Sequence, residues 1–138
     1  MFVKTYTVDK VIQNKVTFET KQFEDVNLVK ELIKLLNGST ITTITFEHSS
    51  NLYLCVCGAN DNFVLYTVDD KSMLIPVINN NLFSDEVIIN TSGNLCKFSK
   101  DLVLDLETVV NIVKVYVETG NLNDKSVKWV NLQEWYGM

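Results

Sequence analysis

Between Thr40 and Leu82 one pattern recurs four times. The segments "TITTITFEH", "NLYLCVCG", "NFVLYTV" and "SMLIPVI" alternate apolar with other residues and are separated by "SSN", "GAND" and "DDK". A period of two lays apolar side chains on one side of an extended chain, and the separators are too short to do more than reverse it. Four such segments joined by turn residues predict an antiparallel meander.

The same period opens the chain. "FVKTYTV" and "KVTFETK" read as two strands, the second half-buried, with Val16 and Phe18 on one face and Thr17 and Glu19 on the other. "SDEVIINTSG" followed by "NLCKFSK" predicts a further hairpin, and Asn79 to Asn81 mark a loop. "SVKWVNL" reads as a returning strand, with Val127, Trp129 and Asn131 on one face and Lys128, Val130 and Leu132 on the other.

Two stretches change to a period near 3.6. In "EDVNLVKELIKLLNGS", Leu28, Val29, Leu32, Ile33 and Leu36 make one apolar stripe, which predicts a surface helix near residues 25 to 37. Asp25 is placed to cap its first turn, and Asn37-Gly38 to end it. The second stretch, "DLETVVNIVKVYVETG", holds valines whose intrinsic preference is for strands. Asn111, Lys114 and Glu118 nevertheless fall at helical spacing between a capping Asp105 and a terminating Gly120, which predicts a longer helix near 105 to 119, buried against the sheet. The expected fold is one α+β domain over residues 1–138, a predominantly antiparallel sheet packed with two main helices.

Charge and cysteine usage narrow the function. Seventeen acidic residues against twelve basic ones give a formal charge of -5, with no basic stripe to neutralise a run of phosphates, so direct nucleic-acid binding is not expected. The first ten residues have no continuous apolar stretch of the secretory kind, and no segment approaches the length of a membrane span. Together with an odd count of three cysteines, this places the expected site of action in the cytoplasm, away from membranes.

Candidate chemistry does not assemble. Cys55 and Cys57 share one face of a strand, where thiols act as small hydrophobes, and "CVCG" has one intervening residue rather than the two of a redox motif. The single histidine, His48, has no companion set of metal ligands and reads as a partly exposed strand-end residue. The five glycines form no phosphate cradle, and Asp69-Asp70 and Asp85-Glu86 sit beside turns, where acids face water. The expectation is no catalytic residues, no cofactor and no metal.

The late helix closing on "YVETG" (Tyr116 to Gly120), the strand "VKWV" (Val127 to Val130) and the terminal tryptophan segment follow a small sheet that includes "NLYLCVCGANDNFVLYTV". In that order and spacing they resemble an immunity-protein family of bacterial polymorphic-toxin and contact-dependent-inhibition systems. The resemblance implies a cytoplasmic antidote without catalysis of its own. Such a protein binds a cognate toxin, often a nuclease or nucleic-acid deaminase, and blocks its active site or substrate channel.

An acidic protein complements the basic cleft that a nucleic-acid-handling toxin presents. The loop acids Asp61, Asp69, Asp70, Asp85 and Glu86 are accordingly the expected contacts, since turn positions project without disturbing a sheet. A nonenzymatic regulatory or adaptor domain is the alternative on the same fold, and a small enzyme a more distant one.

Overall fold

The structure is a computed structural model that describes residues 1–77, 85–122 and 127–131. Seven strands form one sheet. In chain order they are β1 (Thr5–Ile12), β2 (Lys15–Gln22), β3 (Thr43–Ser49), β4 (Leu52–Ala59), β5 (Asn62–Val68), β6 (Met73–Val77) and β9 (Lys128–Asn131). Their spatial order is β2-β1-β3-β4-β5-β6-β9 with every pair antiparallel. The remaining strands, β7 (Glu86–Thr91) and β8 (Asn94–Ser99), form a separate hairpin. Two helices, α1 (Val29–Lys34) and α2 (Leu106–Thr119), complete the α+β fold. No helix among the described residues is long and apolar enough to cross a membrane.

The period-two pattern sorts residues onto two faces. The first carries Val8, Ile44, Val56 and Leu65 in one row and Tyr6, Phe46, Leu54 and Thr67 in the next. Both helices lie over it: Val29, Leu32 and Ile33 of α1 and Val109, Ile112, Val113, Tyr116 and Val117 of α2 complete one continuous buried core. A smaller core forms on the second face, where Cys57, Val64, Ile75 and Val77 meet Ile89 of β7 and Leu102. Trp129 joins the first core from β9 and Val130 the second, which is the alternation expected of the returning strand.

Tertiary burial outweighs valine's strand preference in α2. Asp105 caps it by accepting the Thr108 N–H at 2.8 Å, and Gly120 ends it at φ 76. The earlier helix is shorter than its apolar stripe predicts. Asp25 does cap the Asn27 N–H, but residues Val26–Leu28 wind as a 3-10 turn, and only Val29–Lys34 are α-helical. At the far end the Leu35 and Leu36 N–H groups bond three residues back, the tighter spacing of a fraying terminus. Asn37 then draws the Ser39, Thr40 and Ile41 amides onto its side-chain oxygen and turns the chain toward β3.

Strand β2 corrects a second expectation. It is an edge strand, and Phe18, expected on a half-buried face, is 64% exposed. Among the described residues neither of its faces is covered: Phe18 stands opposite Asp9 on the face away from the helices, and on the helical face the layer reaches β1, through Tyr6 and Val8, but leaves Thr17, Glu19 and Lys21 exposed. The loop at Asn79 to Asn81, Leu132 of the returning strand, and Trp135 and Tyr136 lie outside the described residues.

Candidate functional site

The second face of the sheet is divided along its strands. At one end the β7–β8 hairpin covers it and is fastened by Asp9, which is 1% exposed. The Asp9 carboxylate accepts the Thr42 and Thr43 N–H groups at 2.7 and 2.8 Å, the Thr42 hydroxyl, and the Ser92 hydroxyl at 3.3 Å. Ser92 lies in the β7–β8 turn, and its N–H donates to the Thr42 hydroxyl at 2.7 Å. A buried charge so fully bonded holds the hairpin turn against β1 and the start of β3.

The other end is open among the described residues. Register places Thr20, Thr7, Thr45, Cys55 and Tyr66 in one row across five strands, and Gln22, Thr5, Glu47, Tyr53, Val68 and Met73 in the next. Thr5, Thr7, Thr45, Glu47, Tyr53, Tyr66 and Val68 are half-buried. Side chains cross-link the rows: the Thr7 and Thr20 hydroxyls are 2.8 Å apart, and Thr7 also donates to the Glu47 carboxylate. The result is a patch of tyrosine rings, hydroxyls and one carboxylate on rigid strands. Such side chains suit protein recognition, because tyrosine brings large contact area at low entropic cost together with a hydrogen-bonding tip.

The thiol beneath this patch is not activated. Burial pushes the Cys55 thiol above its ordinary range, against smaller opposing effects of the Tyr66 and Thr45 hydroxyls. Burial likewise raises Cys57, whose Sγ lies 3.5 Å from the Val64 carbonyl, and it raises Tyr66. A thiol held protonated at neutral pH is a poor nucleophile and a poor metal ligand. His48 is occupied in packing the N-terminal segment: its Nδ1 is 2.7 Å from the Phe2 carbonyl oxygen and its ring centroid 4.2 Å from that of Phe2. Among the described residues no three His, Cys, Asp or Glu side chains group as metal ligands would.

The five loop acids are not brought together. Asp69 and Asp70 lie in the β5–β6 turn, at the rim of the open patch beside Val68 and Met73. Asp69 accepts the Lys71 and Ser72 N–H groups, each at 2.8 Å, and these bonds hold its carboxyl below the usual range. Asp61 is at the opposite end of β5, roughly 20 Å or more away at strand rise. There it accepts the Leu106 N–H at 2.9 Å and so secures the first turn of α2. Asp85 and Glu86 stand at the open end of the β7–β8 hairpin, where the Asp85 carbonyl accepts the Lys100 N–H at 2.8 Å.

Tyr53, Tyr66, Thr45, Thr7 and Glu47 were not singled out by sequence reasoning, although a signal for them existed. In "TITFEH" and "LYLCVC" the residues that alternate with the core positions Ile44, Phe46, Leu54 and Val56 are threonine, tyrosine and cysteine with a single acid, so a second, non-solvent face was written into the alternation. The sequence matches no protein-family model and no curated protein.

Proposed function

We propose that this chain is a cytoplasmic, noncatalytic antidote that binds a toxin protein and keeps it from its substrate, using the open half of the second sheet face. The observation that carries the reading is that patch: Tyr53, Tyr66, Thr7 and Thr45 on rigid strands, with Glu47 within it and Asp69 and Asp70 at its rim. A formal charge of -5 speeds encounter with a basic, nucleic-acid-handling surface, while the tyrosines supply the short-range contact that holds it. The order of late helix, "YVETG" and "VKWV", which resembles immunity proteins of bacterial toxin systems, selects a toxin as partner over a regulatory protein.

Co-expression with the toxin domain encoded by a neighbouring reading frame tests this. The intact chain is expected to restore growth and to co-purify with the toxin. Tyr53→Ala is expected to weaken the complex about 30-fold or more while the chain stays folded. Charge reversal at Asp70, whose neighbour Asp69 holds the turn, is expected to slow association without changing stability appreciably. An intact, folded chain that neither binds nor neutralises the toxin contradicts the reading, and binding to a neighbouring signalling protein instead would establish the adaptor alternative.

A further inference from the structure

The outer edge of β2 carries a second, self-complementary surface, independent of the patch above. The β1–β2 hairpin turns through Gln13 and Asn14, both at positive φ, with Ile12 opposite Lys15. A two-residue turn makes its flanking residues a hydrogen-bonded pair, so alternate residues from Lys15 onward bond to β1. The Phe23 N–H, 2.9 Å from the Lys4 carbonyl oxygen, keeps that parity to the far end. Val16, Phe18, Thr20 and Gln22 therefore turn their N–H and C=O groups away from the sheet, and no described strand lies beyond them. Eight successive pairs with β1, without a bulge or proline, leave this edge straight, guarded by the charges of Lys15, Glu19 and Lys21.

We propose that β2 pairs antiparallel with β2 of a second copy about a two-fold axis through Thr17, joining two sheets into one across a homodimer. A two-fold axis perpendicular to the sheet keeps every side chain on its own face, so it must pass through a residue, and charge selects which. Through Phe18 the axis sets Lys15 opposite Lys21 of the second copy. Through Glu19 it sets that carboxylate against itself. Through Thr20 it pairs Glu19 with Lys21 but leaves Phe18 facing Gln22. Through Thr17 it sets Lys15 opposite Glu19 and Val16 opposite Phe18, each twice.

The Thr17 register alone covers the 64% exposed Phe18 with an apolar partner while matching opposite charges. Val16 and Phe18 are outward-bonded residues, so their pairs supply the backbone bonds, and Lys15 and Glu19 fall at the closer, non-bonded pairs. Glu19 is free to change partner, since its ion pair with Lys21, at 3.6 Å, is solvent-exposed. Stable interfaces bury about 800 Å² per partner, more than five paired residues provide, so the dimer is concentration-dependent rather than obligate.

Sedimentation equilibrium of the intact chain reads this directly. The weight-average mass is expected to rise from 15.7 kDa toward twice that value, over a range of roughly 1 µM to 1 mM. Lys15→Glu and Glu19→Lys, each at an exposed position, are expected singly to lower the association constant about tenfold or more, and the double exchange to restore it. Phe18→Thr is also expected to weaken the dimer while leaving the melting temperature of the dilute, monomeric chain unchanged, because threonine suits an exposed strand. A chain that stays monomeric over that range overturns the proposal. A dimer indifferent to the single reversals, or one not restored by the double exchange, overturns it as well.

Discussion

The two faces of the seven-stranded sheet are built on opposite principles. The first is apolar across the middle of the sheet, from β1 to β5, and is closed there by two helices, so that Ile44, Phe46, Leu54, Val56 and Leu65 have no measurable exposure. Among the described residues the second is closed at one end only, by a hairpin held on a buried carboxylate, and presents tyrosine, threonine and glutamate at the other. The first face is unspecific in chemistry and secures the fold through area removed from water. Polar chemistry is concentrated on the second, where each group needs a named partner, and where it is left half-exposed it is available to another protein.

The largest expected effect breaks the first face. Leu54→Ala leaves a cavity between sheet and helices and is expected to cost about 2–5 kcal/mol, measured by urea unfolding. It should lower protection from hydrogen exchange in β1, β3, β4 and β5 together, because the core is continuous across them. Asp9→Ala is the corresponding break on the second face. It strands the Thr42 and Thr43 amides, with an expected cost of about 1–3 kcal/mol. Here exchange should rise first in β7 and β8, with β3 to β5 following only at the global unfolding limit. Loss of protection uniformly across the chain would erase the distinction between the faces.

Little of that second face was legible in the sequence, for a physical reason. Alternation reveals which residues share a face but not what lies above it, and the bonds that fasten the hairpin join positions far apart. Asp9 reaches Thr42 across 33 residues and Ser92 across 83. Asp61 reaches the start of α2 across 45, so a residue that reads as a free loop acid is a helix cap. Local signals fared better: the meander, the β7–β8 hairpin and both ends of α2 depend on neighbours a few residues away and were readable as such. Phe18 was misread because a strand's own sequence does not state whether it lies at the edge of a sheet.

A smaller effect sharpens the account of α2. Asp105→Ala removes the side-chain cap and is expected to cost about 1 kcal/mol. Hydrogen bonding from Thr108 lowers the Asp105 pKa in the folded state, so its contribution is present above the unfolded carboxylate range, about pH 4, and is lost as pH falls through the folded value. The difference in unfolding free energy between parent and variant should therefore shrink on acidification below that range. A difference that grew instead would contradict the cap.

Tyr116→Phe probes the first face most gently. The Tyr116 hydroxyl is buried with no hydrogen-bond partner among the described residues, and burial, then the charge of Asp69, pushes its pKa up to about 12. Removing an unsatisfied hydroxyl while keeping the ring is expected to leave stability unchanged or raise it by about 1 kcal/mol, read from the melting temperature. A clear loss of stability would mean that the hydroxyl has a partner in solution.

The central claim is that recognition belongs to the open half of the second face. Nuclear magnetic resonance cross-saturation from the bound toxin domain to the deuterated chain tests it most directly, because it reports which amides lie against the partner. The account predicts the strongest transfer at Thr7, Thr45, Glu47, Tyr53, Tyr66 and the Asp69-Asp70 turn, with little at β7 and β8. Transfer centred on the hairpin, or on the exposed surface of α2 with the tyrosine patch silent, would contradict it.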